Sequence, residues 1–248
     1  MRPERLILLH GAWAGGWVWD GLVPALAARG RKAVAAELPG NGHHPIPPEA
    51  VQPEDYLETL KALIGEAPGP VAILGHSGGG MLVSAALAAF PKRISQAIWL
   101  AGMLLPEGRS FDDLQEEILG PGKRFGITPH VVHEAGGRLS RVPPDQAVRH
   151  FFQDAPPEVA TRAAARLSAQ PAAGHRLSLP RGPGFQAAFD AVPKLYILAQ
   201  RDRSVLPEAQ RRMSTGHANL TRIEIDSDHV PQLSRPEALA DLLDRWLP

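Results

Sequence analysis

The chain has 248 residues, 44% apolar and 21% charged, a size and balance that can bury one large core without disulfide or metal staples. Its 26 basic and 26 acidic side chains cancel, leaving no electrostatic footprint for nucleic acid or an anionic membrane surface. Cysteine is absent, which excludes disulfides, thiolate metal sites and cysteine nucleophiles together.

The first apolar run, Leu6–Leu9, is too short for a signal-peptide core, and no run approaches the roughly 18 apolar residues that span a bilayer. A cytoplasmic protein without a membrane partner is expected. Leu6–Leu9 predicts a strand ending at His10-Gly11, and residues 19–29 predict a helix stopped by Gly30. A second strand at 32–36 leaves through Leu38-Pro39-Gly40. Leu57, Leu60, Leu63 and Ile64 have helical spacing within 55–64. Residues 71–74 read as a strand buried on both faces, followed by a helix at 81–90 and a strand at 97–100.

From about Leu104 to Phe189 the rhythm breaks into a Pro-, Gly- and Arg-rich stretch with helix-like pieces near 112–119 and 157–167. Alternation returns with a strand at 195–199, a helix near 207–213, a strand at 220–225 and a closing helix at 236–247. This pattern predicts an α/β fold with a mostly parallel sheet flanked by helices. Residues 1–103 and 190–248 would form the core, and residues 104–189 an inserted helical cap.

Gly75-His76-Ser77-Gly78-Gly79 fits G-x-S-x-G, placed where a buried strand turns into a helix. That context makes Ser77 a candidate nucleophile on a strained elbow, with small neighbours allowing the two chain segments to approach. An acyl-transfer intermediate needs preorganised N–H donors for its oxyanion. The glycine-rich stretch from His10 to Trp17 can supply Ala12 N–H, and Gly78 N–H follows the nucleophile. The glycine spacing fits neither a dinucleotide fingerprint nor a phosphate loop. Trp13, Trp17 and Trp19 read as packing residues.

A serine hydroxyl needs a base to remove its proton. His229 follows the last strand at the rim that carries Ser77, whereas His217, also late in the chain, falls at a helix end. His10 and His76 lie inside the motifs and read as loop braces. His130 and His133 are three residues apart but lack a third ligand nearby, so no metal is expected. Asp202, directly after the strand at 195–199, is the candidate carboxylate that orients the base. Asp226 and Asp228 remain alternatives because they adjoin His229.

With these motifs assembled, the chain resembles the α/β-hydrolase family, in its branch of small esterases, plant methylesterases and hydroxynitrile lyases. The resemblance runs nearly end to end. It is carried by His10-Gly11-Ala12-Trp13, Leu38-Pro39-Gly40-Asn41-Gly42, the Ser77 elbow, Phe151-Phe152-Gln153-Asp154, Gln170-Pro171, Asp202 with Leu206-Pro207-Glu208, and Asp228-His229. It implies a serine esterase with a Ser77–His229–Asp202 triad. Lyases of this branch carry a threonine on the oxyanion loop and a lysine after the histidine. Gly11 and Val230 stand at those positions here, which favours hydrolysis of esters or lactones.

The expected pocket is apolar, lined by Gly11, Met103, Leu104, Phe125, Phe151, Phe152, Leu206 and Val230. The expected partner is a small-molecule ester, with no cofactor, and the protein a monomer or homodimer. A hydroxynitrile lyase, or a non-catalytic small-molecule receptor on the same fold, are the alternatives.

Overall fold

The apolar runs become the strands of one sheet, and their order fixes where a site can form. The computed structural model describes residues 3–175 and 184–248; Met1, Arg2 and residues 176–183, the last within the expected cap, lie outside the described residues. The first half runs β1 (Leu6–Leu9), α1 (Leu22–Ala27), β2 (Ala33–Ala35), α2 (Pro53–Gly65), β3 (Val71–His76), α3 (Gly79–Ala89) and β4 (Ile94–Leu100).

An excursion away from the sheet follows. It contains α4 (Phe111–Leu119), β5 (Val132–Glu134), β6 (Leu139–Arg141), α5 (Pro144–His150), α6 (Pro157–Ala165), β7 (Gln170–Pro171), α7 (Ala172–His175) and α8 (Phe185–Ala191). The chain then closes with β8 (Lys194–Ala199), α9 (Pro207–Met213), β9 (Leu220–Ile225), α10 (Pro231–Ser234) and α11 (Pro236–Trp246).

The main sheet has the order β2-β1-β3-β4-β8-β9, and every pairing in it is parallel. β1 lies between β2 and β3, so the chain reverses its direction of travel across the sheet there. In open α/β sheets such a switch point leaves a crevice at the carboxyl ends of the strands. The loops after β1, β3, β8 and β9 all emerge at that rim.

Side chains alternate between the two faces of the sheet. Leu6, Leu8, Leu74, Ile98 and Ile197 pack on one face with α1, α11 and the excursion's Phe151 and Phe152. Ile7, Leu9, Ile73, Trp99 and Leu198 pack on the other with α2, α3, α8 and α9. Burial on both faces explains the unbroken apolar composition of β1 and β3.

Several boundaries differ from the sequence reading. The helix expected over 19–29 is divided into a 3-10 turn, Gly16–Trp19, and α1, which begins after Gly21. The closing helix keeps its expected start, where Pro236 opens α11, and a further short helix, α10, precedes it. β3 continues to His76, since Gly75 and His76 pair with Trp99 and Leu100 of β4. The excursion is not purely helical: β5, β6 and β7 form a three-stranded antiparallel sheet. Strands of two or three residues are too short to leave a period-two signal.

Candidate active site

Ser77 stands between β3 and α3 with φ = 51°, in the left-handed region that a side chain adopts only when its surroundings enforce it. The enforcement is steric. A Cβ on Gly75 would lie 2.3 Å from the Gly79 carbonyl oxygen, and one on Gly79 would lie 2.6 Å from that of His10. Strand, helix and the loop at 10–17 thus meet at a distance that only glycine permits. Backbone bonds complete the turn: Ser77 N–H donates to Leu100 O (3.1 Å), and Met103 N–H donates to Ser77 O (2.8 Å).

Ala12 faces this turn, its backbone nitrogen 3.6 Å from where a Cβ of Gly78 would stand. Neither Ala12 N–H nor Gly78 N–H has a protein acceptor among the described residues. Gly11 is pressed against the elbow, since a Cβ there would lie 2.9 Å from Ser77 Cβ.

His229 leaves β9 and is buried at 2% exposure. Its Nδ1–H donates to Asp202 Oδ2 at 2.7 Å, which fixes the tautomer and leaves Nε2 with a lone pair. Asp202, from the loop after β8, is saturated. Oδ1 accepts from Ser204 N–H (2.7 Å) and Val205 N–H (2.9 Å), and Oδ2 also accepts from Gln210 Nε2 (2.9 Å). A carboxylate gripped from four directions cannot turn away from the imidazole.

The neighbouring acids point elsewhere. Asp228 Oδ1 accepts from Val230 N–H (3.1 Å) and Ser234 Oγ (2.7 Å), while Oδ2 accepts from Asp154 N–H (3.1 Å). Burial raises its pKa above the usual carboxylate value. Asp226 is exposed and paired with Arg201.

His76 joins the Ser77 turn to His229. Its Nε2–H donates to the His229 carbonyl at 2.7 Å, and the two rings lie 4.7 Å apart between centroids. Burial, with His229 beside it, pushes its pKa well below the ordinary histidine value. His10 Nδ1–H donates to Gly11 O (2.8 Å), and its Nε2 accepts from Leu38 N–H (3.2 Å). Burial lowers the pKa of His10 to about 4. Both are neutral braces. His217 bonds back to Met213 O at the end of α9, and His130 lies against His150. Among the described residues the Ser77 hydroxyl makes no hydrogen bond. It opens instead on a cavity of about 290 Å³.

The wall of that cavity differs from the expected one. Of the eight residues read from the sequence, Met103 lines it. Gly11 lines a recess of about 30 Å³ behind the oxyanion loop. Leu104 and Phe125 are buried on the α3 face of the core, and Leu206 packs against the same cluster. Phe152 and Val230 are buried on the α1 face. Phe151 lies between Trp13 and His229, with ring centroids 6.1 and 5.3 Å away.

The apolar wall is instead built from Trp13, Met81, Phe111, Ile127, Val131 and Leu139. Trp13 and Met81 adjoin the two motifs, so proximity in sequence could have flagged them. The others depend on how the excursion folds. Gln210, which anchors Asp202, left no signal, because its register on α9 is set by tertiary packing.

Likeness to known proteins agrees with this geometry. Methylesterase 18 of Arabidopsis thaliana is 26% identical over 264 residues, covering 98% of this chain and 97% of that protein. An α-hydroxynitrile lyase of the same plant is 26% identical over 254 residues, covering 98% and 96%. The crystal structure of a pyrethroid hydrolase from Sphingobium faniae JZ-2 superposes with a TM-score of 0.84 at 25% identity, over 98% of this chain and 97% of that one. The model of the alpha/beta hydrolase family matches residues 6–242, and this chain belongs to that family.

Proposed function

We propose that the protein is a carboxylesterase-type serine hydrolase, cleaving small to medium apolar esters or lactones through an acyl-enzyme. The observation that carries this reading is the buried Asp202–His229 hydrogen bond set beside the left-handed serine turn. Ser77 Oγ attacks the ester carbonyl and His229 Nε2 takes its proton. Asp202 holds the tautomer and stabilises the imidazolium. The oxyanion accepts from Ala12 N–H and Gly78 N–H. Collapse breaks the acyl–oxygen bond, and His229 returns the proton to the departing alcohol. Water then repeats the sequence on the acyl-enzyme, releasing the acid and restoring Ser77.

Relatives bearing the names methylesterase and esterase support ester hydrolysis as the chemistry. A relative named as a hydroxynitrile lyase is equally similar in overall identity, so the choice rests on individual residues. Val230 is an apolar, buried neighbour of His229 and offers no cation to a departing cyanide.

Residues 104–189 act as a cap over the rim, with residues 1–103 and 190–248 as the catalytic core. The finer expectations of a cytoplasmic compartment and a monomer or homodimer come from the sequence alone. No helix among the described residues is long and apolar enough to cross a membrane. The deciding experiment is hydrolysis of p-nitrophenyl acetate and butyrate by the wild type and Ser77→Ala. Turnover should vanish in the variant, and turnover at the parent rate would end the proposal.

A further inference from the structure

We propose that Gln170, in the cap, is a positioning residue that sets the oxyanion loop; the inference rests on the functional reading above. The loop turns at Trp13, whose φ of 63° places a large side chain in the left-handed region. Its Trp13 end is restrained by the cap. Trp13 N–H donates to Gln170 Oε1 at 2.9 Å, and Trp13 O accepts from Ser168 N–H at 2.8 Å. The indole N–H donates to Ser140 Oγ at 3.1 Å, and the ring stacks on Phe151. Within the loop itself, Gly11 O accepts from His10 Nδ1–H at 2.8 Å and from Ala14 N–H at 3.4 Å, which holds the plane before Ala12 but not the one after it.

Successive peptide planes explain why one side-chain amide matters. The plane joining Gly11 to Ala12 carries the N–H aimed at the reacting carbonyl, and the next plane carries the Trp13 N–H. His10 holds the first plane through Gly11 O, and Gln170 holds the second through Trp13 N–H, so the turn at Ala12 is pinned on both sides and its N–H stays directed at the site. Gln170 is suited to the task. It is 6% exposed, and its Nε2 donates to Pro171 O at 3.2 Å, which directs Oε1 towards Trp13. Its segment is docked on the core by Asn41, whose Nδ2 donates to Ser168 Oγ (3.1 Å) and Ala169 O (3.0 Å). Gln170 borders the 30 Å³ recess behind Ala12 and is not part of the wall of the 290 Å³ cavity. A loss here should therefore reach the transition state and spare ground-state binding.

The test is steady-state hydrolysis of p-nitrophenyl acetate by Gln170→Met, which keeps length but removes the amide oxygen. Inhibition by a trifluoromethyl ketone, whose hemiketal presents an oxyanion, is measured alongside. The expected result is a kcat lowered about tenfold or more, with KM within about twofold. Hemiketal affinity should fall by the same factor as kcat/KM. Asn41→Ala, which frees the 168–170 segment, should show the same pattern more weakly, and it decides the matter if Gln170→Met does not fold. An unchanged kcat, a rise in KM alone, or a fall in kcat without loss of hemiketal affinity overturns the assignment. Turnover independent of Ser77 overturns the functional reading itself, and this assignment with it.

Discussion

The loops after β8 and β9 each carry a buried carboxylate to the same rim, and the two carboxylates are used differently. Asp202 is held by four donors, one of them the imidazole of His229. Asp228, adjacent to His229 in sequence, spends its oxygens on Val230, Ser234 and Asp154 of the excursion. Sequence adjacency therefore says little about which acid serves a base. What decides is which strand end delivers the side chain onto the Nδ1 side of the ring. The acid one residue away closes its own loop and ties it to the excursion.

Paired substitutions give the sharpest way to break this contrast. Asp202→Asn should lower kcat by about 10⁴-fold, because the amide favours the wrong tautomer of His229. Asp228→Asn should leave Ser77 chemistry largely intact. Its amide would face the Asp154 N–H and leave a buried donor unpaired, costing about 1–3 kcal/mol of stability. Kinetics and urea unfolding of the two variants check both outcomes. Similar losses of kcat in both would erase the distinction.

Acid titration tests whether His10 and His76 are held as neutral braces. An unfolded imidazole takes up its proton near pH 6.5. The folded His10 resists protonation until about pH 4, and folded His76 is also lowered by burial. Unfolding in that window takes up protons, so the stability these two residues contribute above pH 6.5 is lost as pH falls towards 4. Each contributes a slope of about 1.4 kcal/mol per pH unit. Chemical denaturation at pH 7, 6 and 5 should show declining stability, with a shallower decline in His10→Gln. A decline unaltered by that substitution would mean His10 is not buried as a neutral ring.

Legibility in the sequence followed the range of the forces involved. The Ser77 turn and its contact with the loop at 10–17 are legible because close backbone approach demands glycine within a few residues of the serine. The placement of Asp202 and His229 at the Ser77 rim is legible because strand order brings the loops after β8 and β9 there. Phe151 and Phe152 were read as pocket wall, whereas both are buried in the core and Phe151 packs on His229. An apolar residue has the same signature in either place. Gln170 and Gln210 gave no readable role at all. Each matters through a side-chain amide whose partner lies on another element: Gln170 Oε1 accepts from Trp13 N–H, and Gln210 Nε2 donates to Asp202 while its Oε1 accepts from Ala199 N–H.

Labelling with a fluorophosphonate, followed by intact mass and peptide mapping, tests the proposed triad most directly. The account predicts one adduct, on Ser77, formed far more slowly in His229→Ala. An adduct on another residue, or labelling of Ser77 at an undiminished rate without the imidazole, would contradict it.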